Sequence, residues 1–361
     1  MDERIFRIKV GVSIPAWDAK HRLPISGQVG PECKDSATIY RINSTFMDVT
    51  EQPHMMRQWL AGGVFTAAVF CVVFLIFLIF ALEESHQNGV DKWSVVLVLQ
   101  LSAAVVGLGY VALKFGRDEL FSLTTRPVRF NRSEKKIYAM RRRRFFSAKQ
   151  YGDLVWEVPW DNQAFFCIHR GANGSDHSDS YHIRCYQLDK DGMVIRGFAI
   201  GREWKDLDGL NDLLCQWNYW CTYMNEGPSL LPKPLLFLTD HENIFESFLY
   251  CMYEVGFGVS SRTRVLFLPF FCWMTILRVL SLSTCRPPRW PAEISKCSQI
   301  SENDPYHQPV GNTPVGWAKT SQAHQNDAYP KDPRCPASGW MGESEGLENA
   351  KRWQAEIAPG N

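Results

Sequence analysis

Two long stretches of apolar residues without a charge stand out in the first third of the chain. Residues 58–82 hold 25 uncharged positions, including the run VFCVVFLIFLIFAL, and residues 93–113 hold 21. At about 1.5 Å per residue the first stretch would form a helix of about 37 Å, longer than the ~30 Å hydrocarbon core of a bilayer. The pattern therefore predicts two membrane-spanning helices, at about residues 60–82 and 93–113.

The segment between these stretches, EESHQNGVDK, is only ten residues long, so the two spans must form an antiparallel hairpin. Ala103 and Gly107 have the small-xxx-small spacing that lets membrane helices approach closely, and the Gln100 amide is expected to meet the neighbouring helix. These three residues are predicted to pack the hairpin. The alternative is a buried helical pair in a soluble protein.

The two sides of the predicted hairpin differ in charge. The linking segment is net negative, whereas residues 114–144 hold eleven basic and three acidic residues. Cytoplasmic loops of membrane proteins carry an excess of Lys and Arg. We therefore expect a multi-pass protein with both termini in the cytoplasm, and the first span should serve as an uncleaved anchor.

After the hairpin the hydrophobic pattern changes from continuous to alternating. Six short segments, separated by turn residues, are rich in β-branched and aromatic side chains: PVRFN, KKIYAMRR, DLVWEVPW, QAFFCIHR, YHIRCYQL and MVIRGFAI. Residues 205–224 then show helical spacing, with Leu210, Leu214 and Trp217 on one face. The predicted fold class is an α+β membrane protein, with an antiparallel β-meander that follows the hairpin and is capped by an amphipathic helix.

This order of elements, with the phrases RFNRSEKKIY and VPWD, resembles the pleckstrin-homology-like domains that bacterial membrane proteins carry after a two-helix hairpin. Together with the later segment RPPRWPAEISKC, it resembles an uncharacterised proteobacterial membrane family that is often encoded near type VI secretion effector genes. The resemblance implies a location in the bacterial inner membrane and an accessory or immunity-like role beside secreted toxins. It assigns no function to individual residues.

The remaining segments complete the expected domain organisation. The predicted domains are a cytoplasmic arm at 1–57 with weak strand patterns, the hairpin at 58–114, the β-rich domain at 115–225, an amphipathic and interfacial helical region at 229–298, and a mostly disordered tail at 299–361. Within the helical region 229–298, residues 265–277 are 13 uncharged positions. They are predicted to form an interfacial or re-entrant segment, and the alternatives are a third span or a soluble core helix. Trp317, Trp340 and Trp353 are candidate docking points in the tail.

Basic residues near the predicted cytoplasmic surface are the candidate contacts for anionic lipid or for a protein partner. They are Lys135, Lys136, Arg141, Arg142, Arg143 and Arg144. Each could contribute about 1 kcal/mol of attraction to anionic headgroups. A solvated turn, basic only because it faces the cytoplasm, is the alternative. Because 39 basic residues are balanced by 38 acidic ones and no recognition motif accompanies the arginines, we expect no nucleic-acid partner.

No set of residues in the sequence demands catalysis, a cofactor or a metal. The histidines and carboxylates of HRGANGSDHSDSYH have no familiar ligand spacing, and eleven cysteines without a CxxC pair argue against structural zinc. The leading hypothesis is a non-enzymatic, membrane-anchored protein that binds a protein partner, and an anionic-lipid-binding protein is an alternative. A membrane-bound hydrolase or transferase is the third, and it would require His169, His182 and a carboxylate to come within hydrogen-bond distance.

Overall fold

The structure of the protein, a computed structural model, describes residues 10–30, 32–51, 57–141, 154–161, 164–171, 180–234, 236–252, 261–311 and 313–325. The chain divides into two units. The helical unit consists of Met56–Thr124 and Glu242–Arg286, and the β unit consists of Met1–Met55, Thr125–His241 and Pro287–Asn361. Each unit therefore joins segments that are far apart in the sequence.

The helices, in chain order, are α1 (Ala16–Lys20), α2 (Arg57–Asn88), α3 (Lys92–Leu120), α4 (Asp206–Asn225), α5 (Ile244–Tyr250), α6 (Ser261–Leu266), α7 (Leu268–Ser283), α8 (Ala292–Cys297) and α9 (Gly316–Gln325). The strands are β1 (Arg22–Leu23), β2 (Ile39–Ile42), β3 (Phe46–Thr50), β4 (Pro127–Asn131), β5 (Lys136–Arg141), β6 (Leu154–Pro159), β7 (Ala164–Gly171), β8 (Ser180–Leu188) and β9 (Val194–Lys205).

The two predicted apolar helices are present as α2 and α3, which pack against each other in the helical unit. By length and composition both could cross a membrane. The connection is short because Gly89 takes a positive φ of 84° directly after α2 and Asp91 then caps α3. The Asp91 carboxylate accepts from the backbone N–H of Ser94, and Ser94 Oγ accepts in return from the N–H of Asp91. This reciprocal capping box specifies where α3 begins.

The apolar run after residue 264 forms α7, which packs along the first part of α2. Its 16 residues reach about 24 Å, which is shorter than the ~30 Å needed to cross a bilayer. Arg278 does not interrupt it, because its guanidinium is fully buried and donates to both carboxylate oxygens of Glu242 at 2.6 and 2.7 Å and to Gln58 at 2.9 Å. One face of α7 is thus buried, while Trp273 and Ile276 are about half exposed.

The six strands predicted after the hairpin are confirmed, but they do not form one meander. They are divided between two antiparallel sheets, and the N-terminal arm, residues 1–57, supplies the missing strands. The five-stranded sheet has the order β2-β3-β4-β5-β6, and the four-stranded sheet has the order β1-β7-β8-β9. The difference arises because edge strands need partners, and β1 to β3 lie too far from the meander in sequence for local patterns to show the pairing.

Helix α4 closes the core of the β unit, as its spacing predicted. Leu210, Leu214, Trp217 and Trp220 are fully buried and belong to one continuous apolar cluster with inward-facing residues of both sheets. Full burial of an apolar side chain such as leucine stabilises a fold by about 1.5 to 3 kcal/mol. The helix therefore holds the two sheets together.

The expected disorder from residue 299 onward is wrong for residues 299–325, apart from residue 312, which is outside the described part. The Asp304 carboxylate accepts from the backbone N–H and the hydroxyl of Ser44 at 2.7 and 2.8 Å. Gln308 forms a bridge with Ile42, and Trp317 of α9 packs against a small apolar cluster around Tyr40. The polar composition of this segment gave no indication of its structure, because the segment is stabilised by pairing with distant residues. Residues 326–361, with Trp340 and Trp353, lie outside the described residues.

A buried ion pair joins β3 to β4 at the centre of the five-stranded sheet. Arg129 and Asp48 face each other across the strands, and Nε and Nη2 of Arg129 donate to the two carboxylate oxygens at 2.7 and 2.8 Å. The guanidinium also lies 3.8 Å from the ring centre of Phe46 and 4.5 Å from that of Trp290. One side chain thus connects the N-terminal arm, the first strand after the hairpin and the segment that follows the helical unit.

We predict that Arg129→Lys destabilises the β unit by about 3 kcal/mol, since lysine cannot make the paired hydrogen bonds or stack between two rings. Denaturant unfolding of the full chain in detergent, followed by tryptophan fluorescence, measures the loss. Arg41→Lys is the matched control, because Arg41 contacts the same Asp48 carboxylate at 3.3 Å but is 40% exposed. It should cost less than about 1 kcal/mol. Equal losses in both variants would contradict the prediction.

Asp35 is a second buried carboxylate, in the loop before β2. It accepts from the hydroxyl of Thr38 at 2.6 Å and from the backbone N–H of the same residue. Burial raises the pKa of Asp35 to about 6, although these hydrogen bonds and the charge of Arg202 favour the ionised form. The folded state therefore binds this proton more tightly than the unfolded chain does.

A pKa raised from 3.8 to about 6 makes the fold more stable at low pH. This contribution, up to about 3 kcal/mol, is complete below about pH 4 and is lost as the pH rises through about 6. We expect Asp35→Asn to remove that slope from the pH dependence of unfolding free energy in detergent. Asp240→Asn, at an exposed position, is the control and should keep it. An unchanged slope in Asp35→Asn would show that another group is responsible.

Candidate functional site

The four consecutive arginines lie at the limit of the described residues. Arg141 is the last residue of β5 and pairs with Leu154, and the structure describes its backbone only. Arg142, Arg143 and Arg144 lie outside the described residues. Contact of these side chains with lipid or with a partner therefore stays a prediction.

The two lysines of the same prediction are engaged within the β unit. Lys135 donates to the backbone carbonyl of Met224 in the last turn of α4, where a cation is favourable. Burial and the charge of Arg132 lower the pKa of Lys135. Lys136 forms an ion pair of 2.5 Å with Glu157 on the neighbouring strand. Both ammonium groups already have partners inside this unit, which weakens their candidacy as lipid contacts.

The predicted packing residues of the hairpin lie on the other side of α3. Gln100, Ala103 and Gly107 are exposed, and a Cβ added at Gly107 would meet no atom within 4 Å. The close approach involves Gly109, whose added Cβ would be 3.6 Å from Cys71, and Gly116, whose Cβ would be 3.0 Å from Val64. Several small residues along α3 offered the same spacing, and only the packed pair shows which of them face α2.

A row of polar side chains crosses the four-stranded sheet on the face opposite the main core. Strands alternate their side chains, so Phe166 and Ile183 enter the core while their neighbours point the other way. His169 of β7 is paired directly with His182 of β8, and their ring centres are 5.1 Å apart. Helix α1 covers this face with Asp18. We name Asp18, His169, His182, Arg184 and Tyr186 the polar row.

Asp18 is the acceptor at the centre of the polar row. Its side chain is 1% exposed, and its carboxylate accepts from Nδ1 of His169 at 2.8 and 2.9 Å and from the hydroxyl of Tyr186 at 2.5 Å. Hydrogen bonds to an ionised acceptor are about twice as strong as neutral ones. The carboxylate therefore attaches α1 to the sheet and orients the imidazole of His169, whose side chain is 15% exposed.

Arg184 connects the other end of the row. Its Nη1 donates to the hydroxyl of Tyr186 at 3.0 Å, and its Nη2 lies 3.4 Å from Nε2 of His182. A guanidinium can only donate, so Nε2 of His182 is the acceptor and the proton of the neutral ring is on Nδ1. That buried Nδ1–H has no hydrogen-bond partner among the described residues.

Burial governs the protonation of the row. It lowers the pKa of His182 well below its usual value, and the nearby Arg184 and His169 act in the same direction. Burial also raises the pKa of Tyr186 and of Cys167, which is two residues before His169 on β7 and shares its face of the sheet. His182 is consequently neutral at physiological pH, and Cys167 stays a thiol.

An irregularity in the strand pairing lies opposite His182. The register between β8 and β9 shifts between Tyr181 and Ile183. On β9, Gly201 adopts a φ of 75°, and a Cβ there would approach Trp220 to 2.9 Å, so glycine is required. Bulges of this kind re-aim side chains and are frequent next to functional sites.

The histidine cluster singled out in the sequence is thus brought together only in part. His169 and His182 are adjacent, while Asp176, His177 and Asp179 lie outside the described residues. Within the described part of the chain, no group of three or more His, Cys, Asp or Glu side chains is arranged to hold a metal ion.

Sequence reasoning missed Asp18, Arg184 and Tyr186. Two of them had a local signal, because His182, Arg184 and Tyr186 recur at every second position of YHIRCYQL and must share one face of a strand. Asp18 had none, since it lies 151 positions before His169.

The described architecture defines a class of protein with mixed α and β structure, antiparallel sheets and two apolar helices of membrane-spanning length. The chain belongs to the family of unknown function DUF6708, whose model matches residues 105–302, a little over half of the sequence. This confirms the expectation of an uncharacterised family. No curated protein and no solved structure matches the chain. The family match includes most of the polar row but not Asp18.

We predict that Asp18 and Tyr186 are energetically coupled. A double-mutant cycle of Asp18→Asn and Tyr186→Phe should give a coupling free energy of about 0.5 to 3 kcal/mol, because the two side chains share one hydrogen bond in a buried network. Unfolding of the full chain in detergent measures it. A cycle of Asp18→Asn with Tyr138→Phe in the other sheet is the control, and it should be additive. Additivity in both cycles would refute the network.

Proposed function

We propose that this protein is a membrane-anchored binding protein, in which the helical unit is the anchor and the β unit engages a protein partner. One observation carries the proposal, namely the apolar surface of the two long helices. Phe77 and Phe80 of α2 are 56% and 62% exposed, and Leu99 and Leu113 of α3 are 63% and 77% exposed. Such a surface is a liability in water, whereas a bilayer covers it.

The proposed orientation places both termini in the cytoplasm of a bacterial cell, with the short α2–α3 connection on the far side of the inner membrane. The charge asymmetry supports it, because the connection is net negative and the residues after α3 are strongly basic. The β unit would then be held on the cytoplasmic side.

We further propose that the β unit is a pleckstrin-homology-like binding module. Two antiparallel sheets closed by the single long helix α4 support this assignment. Its proposed contact surface is the outer edge of β9. There the backbone of Gly11 and Val12 pairs with Val194, and exposed apolar side chains occur at Val12, Met193 and Ile195. Because the arm residues already occupy the backbone of this edge, a partner would contact the exposed apolar side chains and would not add as a strand.

The resemblance in the sequence suggests which partner this is. We propose a toxin or another component of type VI secretion, for which the protein would be an accessory or immunity-like factor. The family that the sequence resembles is often encoded near type VI secretion effector genes, and that association supports this choice of partner.

Anionic-lipid binding is an alternative that the engaged lysines make less favourable. A membrane-bound hydrolase or transferase is the second candidate, and one observation favours it. His169 and the Asp18 carboxylate are within hydrogen-bond distance, in the arrangement by which a carboxylate orients a histidine base. The hypothesis also required His182 within hydrogen-bond distance, but its ring centre lies 5.1 Å from that of His169 and its contact is with Arg184, so the requirement is met only by His169 and Asp18.

The anchor is tested by fractionating cells that express the full chain. We expect the protein to stay in the membrane pellet after washing with high salt and with alkaline carbonate, and to be released by detergent. A reporter that is active only in the cytoplasm should be inactive when it is fused after Asn88, at the end of α2, because that position would lie on the far side of the membrane. Release by salt alone would contradict the anchor, and a cytoplasmic reporter at Asn88 would contradict the orientation.

The binding surface is tested by photo-crosslinking in intact membranes. A photoreactive amino acid at Ile195 should yield one discrete adduct under ultraviolet light, which mass spectrometry identifies. The same amino acid at Leu230, which is 60% exposed but outside the edge, is the control and should yield none. The adduct should disappear when the proposed partner gene is deleted. Identical products at both positions, or none at Ile195, would refute this surface.

A further inference from the structure

The exposed face of helix α7 is apolar, and its polar side chains are buried. Between residues 270 and 282 the polar side chains are those of Thr275, Arg278 and Ser281, and each is at most 5% exposed. Trp273 and Ile276, on the outer face, are 45% and 51% exposed. A surface helix in water buries its apolar stripe and turns polar residues outward, whereas polar residues of membrane helices face the protein interior. The distribution in α7 therefore matches a helix in contact with hydrocarbon.

The buried polar groups of α7 have partners inside the helical unit. Arg278 is bonded to Glu242 and Gln58. The hydroxyl of Thr275 donates to the backbone carbonyl of Phe271, one turn earlier, at 2.7 Å. Because these hydrogen bonds do not involve water, the outer face of the helix can enter lipid while they are kept.

The outer face of α7 adjoins the exposed apolar surface of α2. The ring centre of Trp59 lies 5.8 Å from that of Phe270, and the ring centre of Phe65 lies 5.6 Å from that of Trp273. All four side chains are between 37% and 45% exposed. The two helices thus share one aromatic patch. Tryptophan is enriched where membrane proteins meet the boundary between lipid and water.

The contacts of α7 with α2 lie near the beginning of α2. Phe270 contacts Trp59 and Arg278 contacts Gln58, so neighbouring residues of α2 meet positions of α7 that are about 12 Å apart along the helix. Helix α7 therefore lies across the first turns of α2 and does not follow it to its far end. If α2 crosses the bilayer, α7 stays at the membrane surface where α2 begins.

Exposed arginines at both ends of α7 agree with this position. Arg262 precedes the helix and Arg286 follows it. A charge at the bilayer centre costs about 2.5 to 3.5 kcal/mol, so both ends stay near the headgroups. We propose that α7 is an interfacial helix, which inserts Trp273, Ile276 and Leu280 among the acyl chains of the leaflet where α2 begins. This inference rests on the proposed function, because it requires the helical unit to be a membrane anchor.

Two native cysteines test this position in the unchanged protein. Cys272 is exposed on α7, and Cys297 is exposed on α8 in the β unit. In membranes opened to expose both surfaces, a membrane-impermeant maleimide should modify Cys272 at least about tenfold more slowly than Cys297, because the reactive thiolate needs access to water. Both should be modified after denaturation in sodium dodecyl sulphate, as mass spectrometry of peptides can show. Equal rates in the membranes would overturn the proposal.

Photo-crosslinking of the full chain in membranes identifies what covers α7. A photoreactive amino acid at Ile276 should yield phospholipid adducts, which mass spectrometry recognises by their added mass. Phe77 of α2, 56% exposed, is the positive control and should yield them as well. Leu230 in the β unit, 60% exposed, is the negative control and should yield none.

The three positions separate failure of this inference from failure of the anchor. Lipid adducts at Phe77 without any at Ile276 would overturn the inference and leave the anchor in place. A protein adduct at Ile276 in place of lipid, from a partner or from another part of this chain, would also overturn the inference. A lack of lipid adducts at both positions would overturn the anchor, and the inference with it.

Discussion

The pairing of Arg129 with Asp48 is the interaction on which the β unit depends most. Strand β3 ends at Thr50 and β4 begins at Pro127, and the two long helices occupy the chain between them. The strands are nevertheless direct neighbours, and this ion pair spans them at the centre of the sheet. A buried charge without its partner is strongly unfavourable, so the pair disfavours any arrangement in which the two strands separate. Trp290 stacks on the same guanidinium and adds the segment after the helical unit.

Because of this ion pair, the folded β unit must include more of the chain than residues 115–225. Residues 115–225 alone would lack β2 and β3, and with them Asp48, so β4 would become an unpaired edge and Arg129 a buried cation without its carboxylate. The same segment would lack Asp18 and hence the cover of the polar row. The part of the chain that matches the family is incomplete in the same way, because it begins at residue 105. Experiments on binding therefore need the full chain.

The helical unit also contains a buried arginine, Arg278, whose charge must be paired. An arginine at the end of an apolar run would ordinarily limit that run to 13 residues. Here Glu242 and Gln58 satisfy the guanidinium, and the ring of Tyr250 lies 3.7 Å from it. Burial by itself would raise the pKa of Glu242, but the charge of Arg278 holds it below its ordinary value. The ion pair lets α7 continue to Ser283 with one face buried.

The sequence by itself determined the elements whose signals are local. Alternation located β4 to β9, helical spacing located α4, and uncharged length located α2 and α3, because each depends only on neighbouring side chains. Tertiary structure decided which elements meet. The division into two sheets, the order of residues 299–325 and the side of α3 that faces α2 all depend on contacts between distant segments. The hydrogen bond between Asp18 and His169 is of the same kind. The two residues are 151 positions apart, and local patterns report only on residues that are close in sequence.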